Sequence, residues 1–234
     1  MLCLLNNGID TIIMPAIDSD TLESMLELEA AYPNNCIAMM GLHPCSVKDN
    51  VQQELDIVEA QLKKRKFIAI GEIGLDYYWD KTFIQQQIEA FTIQMQWALE
   101  KQLPIVIHTR NAMGETIEAV KPFAKKGLRG IFHCFSGSQE SAQQIISMGF
   151  HLGLGGVLTY KNAKVAEAIK EIPMSHFVLE TDAPYLSPVP YRGKTNEPAF
   201  MIEVAKKLAE IKNIPLQEVA AITTNNAKAV FGIK

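Results

Sequence analysis

Short, nearly continuous apolar runs alternate along the chain with longer amphipathic stretches. Such runs are typical of parallel strands that are buried on both faces, because helices cover the sheet on each side. The runs are TIIMPAI, CIAMMGLHP, FIAIGEIGLD, PIVIHTR, GIFHCFSG, FHLGLGG and HFVLETDAP. The pattern therefore predicts an α/β fold built on a parallel sheet.

The stretches between these runs carry apolar residues every three or four positions, which predicts helices that pack one face inward. The clearest examples are Ile84, Ile88, Phe91 and Met95 in one stretch and Leu55, Val58 and Leu62 in another. Asp20 and Glu23 are predicted to form a capping box at a helix start. Pro215 is predicted to occupy the first position of the last helix.

Regular alternation of strand and helix, with polar residues at the carboxyl ends of strands, predicts a (β/α)₈ barrel. The seven strands in this sequence are one fewer than a complete barrel has. The opening LCLLNNG has the pattern of a helix end closed by Gly8, so we expect a first strand and most of its helix to be missing. Residues 1–234 contain no linker-like segment, which predicts a single domain.

Four of the apolar runs end in a side chain that binds divalent metals: Glu72, His108, His133 and Asp182. Packing does not explain them, because an unpaired polar group out of water costs roughly 2–7 kcal/mol. A parallel barrel brings the carboxyl ends of its strands together. Mixed imidazole and carboxylate ligands suit ions such as Zn²⁺ and Mn²⁺. The sequence therefore predicts a divalent metal site formed by these four side chains.

The other histidines differ in the strand end that they occupy. His43 follows an apolar run and is predicted to lie at the same end as the metal ligands. His151 and His176 precede their runs, so we expect them at the opposite end, where they serve packing.

Composition limits the classes of function. The chain is 48% hydrophobic with a net charge of −4, so it lacks the broad basic face of proteins that coat duplex DNA, and we expect any nucleic acid to be held locally. We expect no signal peptide in MLCLLNNGIDT and no membrane span, since no run approaches roughly 18 apolar residues. The four cysteines show no CxxC spacing and are expected to be reduced. These features predict a cytoplasmic protein without a membrane partner.

Several motifs together resemble the TatD family of metal-dependent deoxyribonucleases. They occur in order through the whole chain: GLHP, GEIGLDYYWD, IHTR, HCFSG, ETDAPYL, PYRGKTNEP and TTNNAKAVFG. The resemblance implies a TIM-barrel hydrolase of phosphodiester bonds that uses one or two divalent ions, Mg²⁺, Mn²⁺ or Zn²⁺. In the family pattern Glu72 bridges two metals, His108 and His133 complete one site, and Asp182 serves the other.

The chain departs from this family pattern at its start. Family members carry a His-x-His pair at the end of the first strand, and this sequence contains no such pair. The deficit coincides with the strand that is expected to be missing. As the sequence stands, the second ion is expected to bind weakly, and turnover should suffer because two-metal hydrolysis uses both ions.

The resemblance also assigns roles in catalysis. Glu72 and Asp182 are the catalytic candidates, with Asp182 orienting or deprotonating a water that the metal activates. His43, Arg110, Arg192 and Lys194 are candidate substrate contacts, and for each the alternative is a structural or solvated position. Tyr77, Tyr78 and Trp79 either stack on exposed bases or simply pack.

These features predict an exonuclease-like enzyme with DNA ends or single strands as its substrate and without an obligate protein partner. Two alternatives stay open at this point. The same scaffold could hydrolyse another bond, as in a D-aminoacyl-tRNA or a small ester or amide. The chain could also be a catalytically impaired homologue that acts as a binding protein.

Overall fold

The computed structural model describes residues 8–233. Residues 10–130 form one compact unit, the N-terminal unit. The residues from 131 onward form a second, the C-terminal unit, to which the described residues 8 and 9 also belong. The helix predicted to end at Gly8 would lie in residues 2–7, outside the described range. The single-domain prediction stays a prediction.

The N-terminal unit alternates strands with helices. Its strands are β1 (Ile12–Pro15), β2 (Cys36–Met39), β3 (Ile70–Asp76) and β4 (Ile105–Arg110), and its helices are α1 (Ser19–Ala31), α2 (Val51–Lys64), α3 (Ile84–Lys101) and α4 (Met113–Ala124). β1 pairs in parallel with β2, and β3 pairs in parallel with β4. A parallel bridge between Met40 and Ile70 connects the two pairs.

The C-terminal unit continues the same alternation. Its strands are β5 (Gly130–Phe132), whose first residue closes the N-terminal unit, β6 (His151–Leu154) and β7 (Phe177–Leu179), and its helices are α5 (Gln139–Ser147), α6 (Val165–Ala168), α7 (Met201–Lys212) and α8 (Leu216–Phe231). β6 pairs in parallel with both β5 and β7. The α/β class with parallel strands is therefore confirmed, and each of the seven predicted strands is present in the described residues.

Two predictions about helix starts were wrong. Asp18 caps α1, because its side chain accepts a hydrogen bond from the Thr21 backbone N–H, and Thr21 Oγ1 accepts one from the Asp18 N–H. The predicted box at Asp20 and Glu23 lies inside this helix, since α1 begins at Ser19. Pro215 has an extended backbone, with ψ 146°, and precedes the first helical residue as the N-cap of α8.

Each unit has its own apolar interior. In the N-terminal unit Ile73 and Ile107 face each other in register and are completely buried under α3, whose Phe91 and Met95 are also buried. In the C-terminal unit the buried rings of Phe132 and Phe150 meet edge to face with their centroids 5.6 Å apart. Strand interiors of this kind explain why the apolar runs of the sequence carry few polar residues.

Lys212 anchors the end of α7 to the segment that follows α6. Its ammonium donates hydrogen bonds to the backbone carbonyls of Ile169, Lys170 and Ile172 at 2.6, 2.7 and 2.6 Å. Burial lowers the pKa of this ammonium below its usual value. One cation thereby bonds three carbonyls at the end of this segment, of which that of Ile169 also accepts from the Ile172 N–H.

Two further findings bear on the sequence predictions. Among the described residues Cys36, Cys45 and Cys134 form no disulfide, which agrees with the expected reduced state, whereas Cys3 lies outside the described residues. No helix in the described part of the chain combines the length and apolar character that a membrane crossing requires. The cytoplasmic location stays a prediction.

Candidate metal centre

In the N-terminal unit the imidazole of His108 is fixed by a buried carboxylate. His108 lies on β4, and its Nε2 is 2.9 Å from Oδ2 of Asp76, the last residue of β3, whose side chain is 1% exposed. The other oxygen, Oδ1, accepts hydrogen bonds from the backbone N–H groups of Tyr78 and Trp79. Burial raises the pKa of the Asp76 carboxyl, but the hydrogen bonds from His108 and the two backbone groups outweigh it and hold the pKa well below its usual range.

Gly74 allows β3 to lie close to the strand that carries His108. The two residues pair in register, and a Cβ on Gly74 would lie 1.9 Å from the carbonyl oxygen of His108. Its φ of +148° is also a conformation that residues with side chains rarely adopt. Gly74, the second glycine of GEIGLD, is therefore required because the backbones of β3 and β4 lie too close for a side chain at this position.

His43 and Glu72 lie in the same cluster as His108. Nε2 of His43 is 3.8 Å from Oε2 of Glu72, and both side chains are 12% exposed. The rings of His43 and His108 meet edge to face with centroids 4.4 Å apart. The backbone N–H of Cys45 donates to Nδ1 of His43, while burial and then Asp76 raise the pKa of the Cys45 thiol to about 12.

Arg110, the last residue of β4, lies against exposed aromatic rings. Its guanidinium is 3.8 Å from the centroid of the Tyr78 ring and 5.1 Å from that of Trp79. The two rings are 49% and 68% exposed. This arrangement places a cation with aromatic faces directly after the strand ends that carry His108 and Asp76.

In the C-terminal unit His133 is held between two carboxylates. Its Nδ1 is 2.9 Å from Oε2 of Glu180, and its Nε2 is 3.0 Å from Oδ1 of Asp182. His133 is 6% exposed, and the Asp182 side chain is the more open of the two acids at 30%. The second oxygen of Glu180 accepts a 2.6 Å hydrogen bond from the Cys134 backbone N–H.

Gly153 on β6 leaves the space that the Glu180 side chain fills. A Cβ on Gly153 would lie 2.2 Å from Oε2 of Glu180, the oxygen that contacts His133. The backbone of β6 thereby determines where the carboxylate can lie, and the carboxylate determines the orientation of the imidazole.

The loop that follows Asp182 is tied down by buried polar groups. Ser187 Oγ donates to the Lys194 carbonyl, and Asn196 Nδ2 donates to the Tyr185 carbonyl. The Arg192 guanidinium lies 4.0 Å above the centroid of the Tyr160 ring. Burial raises the pKa of the Tyr160 hydroxyl, although Arg192 opposes this shift.

The donor groups fit a divalent cation. In proteins a histidine that ligates a metal usually has its other ring nitrogen held by a carboxylate or carbonyl, which fixes the tautomer and the orientation of the ring. Asp76 does this for His108, which leaves Nδ1 for a ligand, and Glu180 does it for His133, which leaves Nε2 beside Asp182. Imidazole and carboxylate together suit borderline ions.

Around each of these two histidines, a group of three side chains has potential ligand atoms within 4.8 Å of one another. They are His43, Cys45 and His108 in the N-terminal unit, and His133, Cys134 and Glu180 in the C-terminal unit.

The sequence predictions for the site can now be placed in the structure. Glu72 and His108 lie inside β3 and β4, not at the strand ends where they were predicted, while Arg110 ends β4 and His43 follows β2 by four residues. In the C-terminal unit His133 and Asp182 lie together, with Arg192 and Lys194 on the loop after Asp182. The convergence of all four predicted ligands on one centre stays a prediction.

Two residues of the site were missed. Asp76 and Glu180 each end an apolar run, which is the same signal that identified Glu72 and Asp182.

The two histidines predicted to serve packing stand at strand starts. His151 is the first residue of β6, and His176 directly precedes β7. Their ring centroids are 6.4 Å apart, and burial, followed by the neighbouring His176, lowers the pKa of His151.

The chain is similar to a known protein family and to metal-dependent hydrolases of bacteria. Residues 4–232 match the family model described as TatD related DNase. YabD of Bacillus subtilis, an uncharacterized metal-dependent hydrolase, is 39% identical over 226 residues, which are 96% of this chain and 88% of YabD. YcfH of Escherichia coli K12, likewise an uncharacterized metal-dependent hydrolase, is 32% identical over 201 residues, which are 86% of this chain and 75% of YcfH.

The fold has a close counterpart among solved structures. The crystal structure of YjjV, a TatD homologue from Escherichia coli K12, superposes with a TM-score of 0.93 at 28% identity and covers 100% of this chain and 90% of that one. The paired histidines and carboxylates, the matched residues and the shared architecture agree with one another. The chain belongs to the TatD family of metal-dependent hydrolases.

Proposed function

We propose that this chain hydrolyses phosphodiester bonds in DNA at strand ends or in single strands, with divalent metal ions as cofactors. The observation that supports this most directly is that a carboxylate fixes each imidazole, Asp76 that of His108 and Glu180 that of His133. Glu72 lies in the cluster of His43 and His108, and Asp182 contacts His133. Imidazoles held in this way serve as ligands whose orientation is set before a metal binds. The family match to TatD related DNase supports the same class of bond.

In this proposal Glu72, His108, His133 and Asp182 hold the ion or ions, Mg²⁺, Mn²⁺ or Zn²⁺. A bound divalent ion polarises a phosphoryl oxygen and lowers the pKa of water from 15.7 towards about 7.

Three carboxylates of the protein handle the proton of the water and orient the imidazoles. Asp182 orients the attacking water and accepts its proton, since its carboxylate is the more exposed of the two that contact His133. Asp76 and Glu180 keep the two imidazoles in the tautomers that ligation requires.

Substrate contacts come from the cations and aromatic rings next to the strand ends. The guanidinium fork of Arg110 and that of Arg192 match phosphate oxygens. The exposed rings of Tyr78 and Trp79 offer faces for unpaired bases, and stacking contributes about 1–3 kcal/mol per base in single-strand binders. A few local cations on an acidic chain favour ends and single strands over binding along a duplex.

His43 and Lys194 complete the proposed contacts. His43 lies beside Glu72 and His108, where it can donate a hydrogen bond to a phosphate oxygen. Lys194 is exposed on the loop after Asp182.

The test is hydrolysis of an end-labelled single-stranded oligonucleotide by the purified protein with Mg²⁺ or Mn²⁺. We expect Glu72→Gln and Asp182→Asn to reduce turnover by about 100-fold or more, because each removes a ligand or a proton acceptor. Glu210→Gln is the matched control, since that side chain is 71% exposed and only pairs with Lys207.

Three results would count against the proposal. Parental rates for both variants would exclude the assigned residues. Hydrolysis of a D-aminoacyl-tRNA or a small ester without cleavage of DNA would assign the same site to another bond. Metal binding without any hydrolysis would indicate a binding protein.

A further inference from the structure

Gln94 of α3 is buried and holds the backbone next to His43. Its side chain is 1% exposed, its Oε1 accepts a 2.7 Å hydrogen bond from the Leu42 N–H, and its Nε2 donates to the Leu42 carbonyl at 3.2 Å. One side-chain amide thus pairs both the backbone N–H and the backbone carbonyl of Leu42, as a neighbouring strand would. The residue that it holds directly precedes His43 in the GLHP motif.

Gln87, two helical turns earlier on α3, does the same to Asp76. It is 3% exposed, its Oε1 accepts a 2.9 Å hydrogen bond from the Asp76 N–H, and its Nε2 donates to the Asp76 carbonyl at 3.2 Å. The side chain of Asp76 in turn holds His108. α3 therefore fixes the backbone N–H and carbonyl of Asp76, the residue that orients the predicted metal ligand His108.

The two glutamines lie on one face of the helix. A spacing of seven residues is close to two complete turns, so their side chains point in the same direction. Packing alone would be served by apolar side chains, as at Phe91 and Met95 of the same face. The glutamines differ because each supplies a donor and an acceptor to backbone groups that no sheet or helix pairs.

We infer that Gln87 and Gln94 are positioning residues of the metal centre, which act through Asp76 and through the backbone at His43. α3 thereby holds the backbone before His43 and the carboxylate partner of His108, whose ring centroids lie 4.4 Å apart. Gln87 governs metal affinity, because it fixes the carboxylate that orients His108. Gln94 governs turnover, because it fixes His43, the proposed phosphate contact. Both roles rest on the proposed function, but the first needs only that the centre binds a metal.

The experiment replaces each glutamine by leucine, which keeps most of the volume and removes both hydrogen bonds. Affinity for Mn²⁺ is measured by calorimetric titration, and kcat and KM are measured on single-stranded DNA at saturating Mn²⁺. For Gln87→Leu we expect affinity to fall by about 10–100-fold, the usual loss when an outer-shell partner of a ligand is removed. For Gln94→Leu we expect kcat/KM to fall about 10-fold or more while Mn²⁺ affinity changes little.

The same helix supplies the controls. Gln85 and Gln96 are exposed and only pair with acids one turn later, so Gln85→Leu and Gln96→Leu should leave both readouts unchanged. Met95→Ala removes buried volume from the glutamine-bearing face without touching a polar group. It should lower stability without lowering Mn²⁺ affinity, which separates positioning from a general loss of packing.

A second pair of variants covers the case in which leucine prevents folding. Gln87→Asn and Gln94→Asn shorten each side chain by one methylene, so that the amide no longer reaches both backbone groups, and they should change the same readouts in the same direction. Parental Mn²⁺ affinity in the folded Gln87 variants would overturn the role of Gln87. Parental turnover in the folded Gln94 variants would overturn that of Gln94. A parent that binds Mn²⁺ but cleaves no DNA would refute the proposed function and leave the test of Gln87 intact.

Discussion

Replacing Asp76 by asparagine tests whether the carboxylate sets the tautomer of His108. The two oxygens of Asp76 have different partners: Oδ1 accepts from the Tyr78 and Trp79 N–H groups, and Oδ2 contacts His108 Nε2. An asparagine has one oxygen, and two backbone donors will retain it. Its NH₂ group then faces His108, so Nε2 must become an acceptor and the ring proton moves to Nδ1. The nitrogen that was left for a metal is thereby blocked.

The magnitude follows from two independent considerations. A hydrogen bond to a charged group contributes about 1.5–3 kcal/mol, and Asp76→Asn removes the one to His108. Loss of an outer-shell partner typically weakens metal binding by about 10–100-fold. At about 1.4 kcal/mol for each factor of ten, that loss is about 1.4–2.8 kcal/mol, which agrees with the first figure.

The assay is calorimetric titration of the metal-free protein with Mn²⁺, with folding checked by circular dichroism. Asp80→Asn is the matched control, because it is the same substitution four residues later at a side chain that is 37% exposed and paired with Lys48. A folded Asp76→Asn protein with parental Mn²⁺ affinity would refute the reasoning, since the tautomer would then have no influence on binding.

Three further predictions concern other parts of the molecule. Glu180→Gln should lower Mn²⁺ affinity by about 10–100-fold, because it removes the charged partner of His133, as measured by the same titration. Lys212→Met should lower the free energy of unfolding by about 1–3 kcal/mol, measured in urea, since three carbonyls each lose a hydrogen bond from the ammonium. Replacement of the exposed Lys206 by Met should change it little. The stability contributed by His151 should be complete above pH 6.5 and should be lost as the pH falls through the lowered pKa of its imidazole, because the unfolded state binds a proton at this imidazole more tightly than the folded state does. His151→Gln should make the free energy of unfolding less dependent on pH in this range.

Each of these predictions has a result that contradicts it. Unchanged Mn²⁺ affinity in the Glu180 variant would mean that His133 does not depend on that carboxylate. Equal unfolding free energies for the two lysine variants would remove the anchoring role of Lys212. If the loss of stability below pH 6.5 persisted in the His151 variant, groups other than His151 would be its cause.

The strands, and the acids and histidines in or next to them, could be read from the sequence. Strand formation follows from local apolar runs, and Glu72, His108, His133 and Asp182 are visible as polar groups in or directly after such runs, although Glu72 and His108 lie inside their strands and not at the ends. The helix starts were less predictable. Asp18 and Asp20 are both suitable caps by residue type, and the hydrogen bond between Asp18 and Thr21 decided between them.

Partners that are distant in sequence could not be predicted from local pattern. Asp76 and His108 are 32 residues apart, and His133 and Glu180 are 47 apart, so only the packing of strands brings them within 3 Å. Gln94 and Leu42 are 52 residues apart, and a glutamine on an amphipathic helix gives no sign by itself that it will be buried.

The sequence by itself determined the α/β class, the seven strands of the described residues, and the family, because each depends on residue types and their spacing along the chain. Only the tertiary structure decided which carboxylate orients which imidazole and which glutamines hold the strand ends. The physical reason is that a hydrogen bond is satisfied at about 3 Å, and which groups come that close depends on how strands and helices pack.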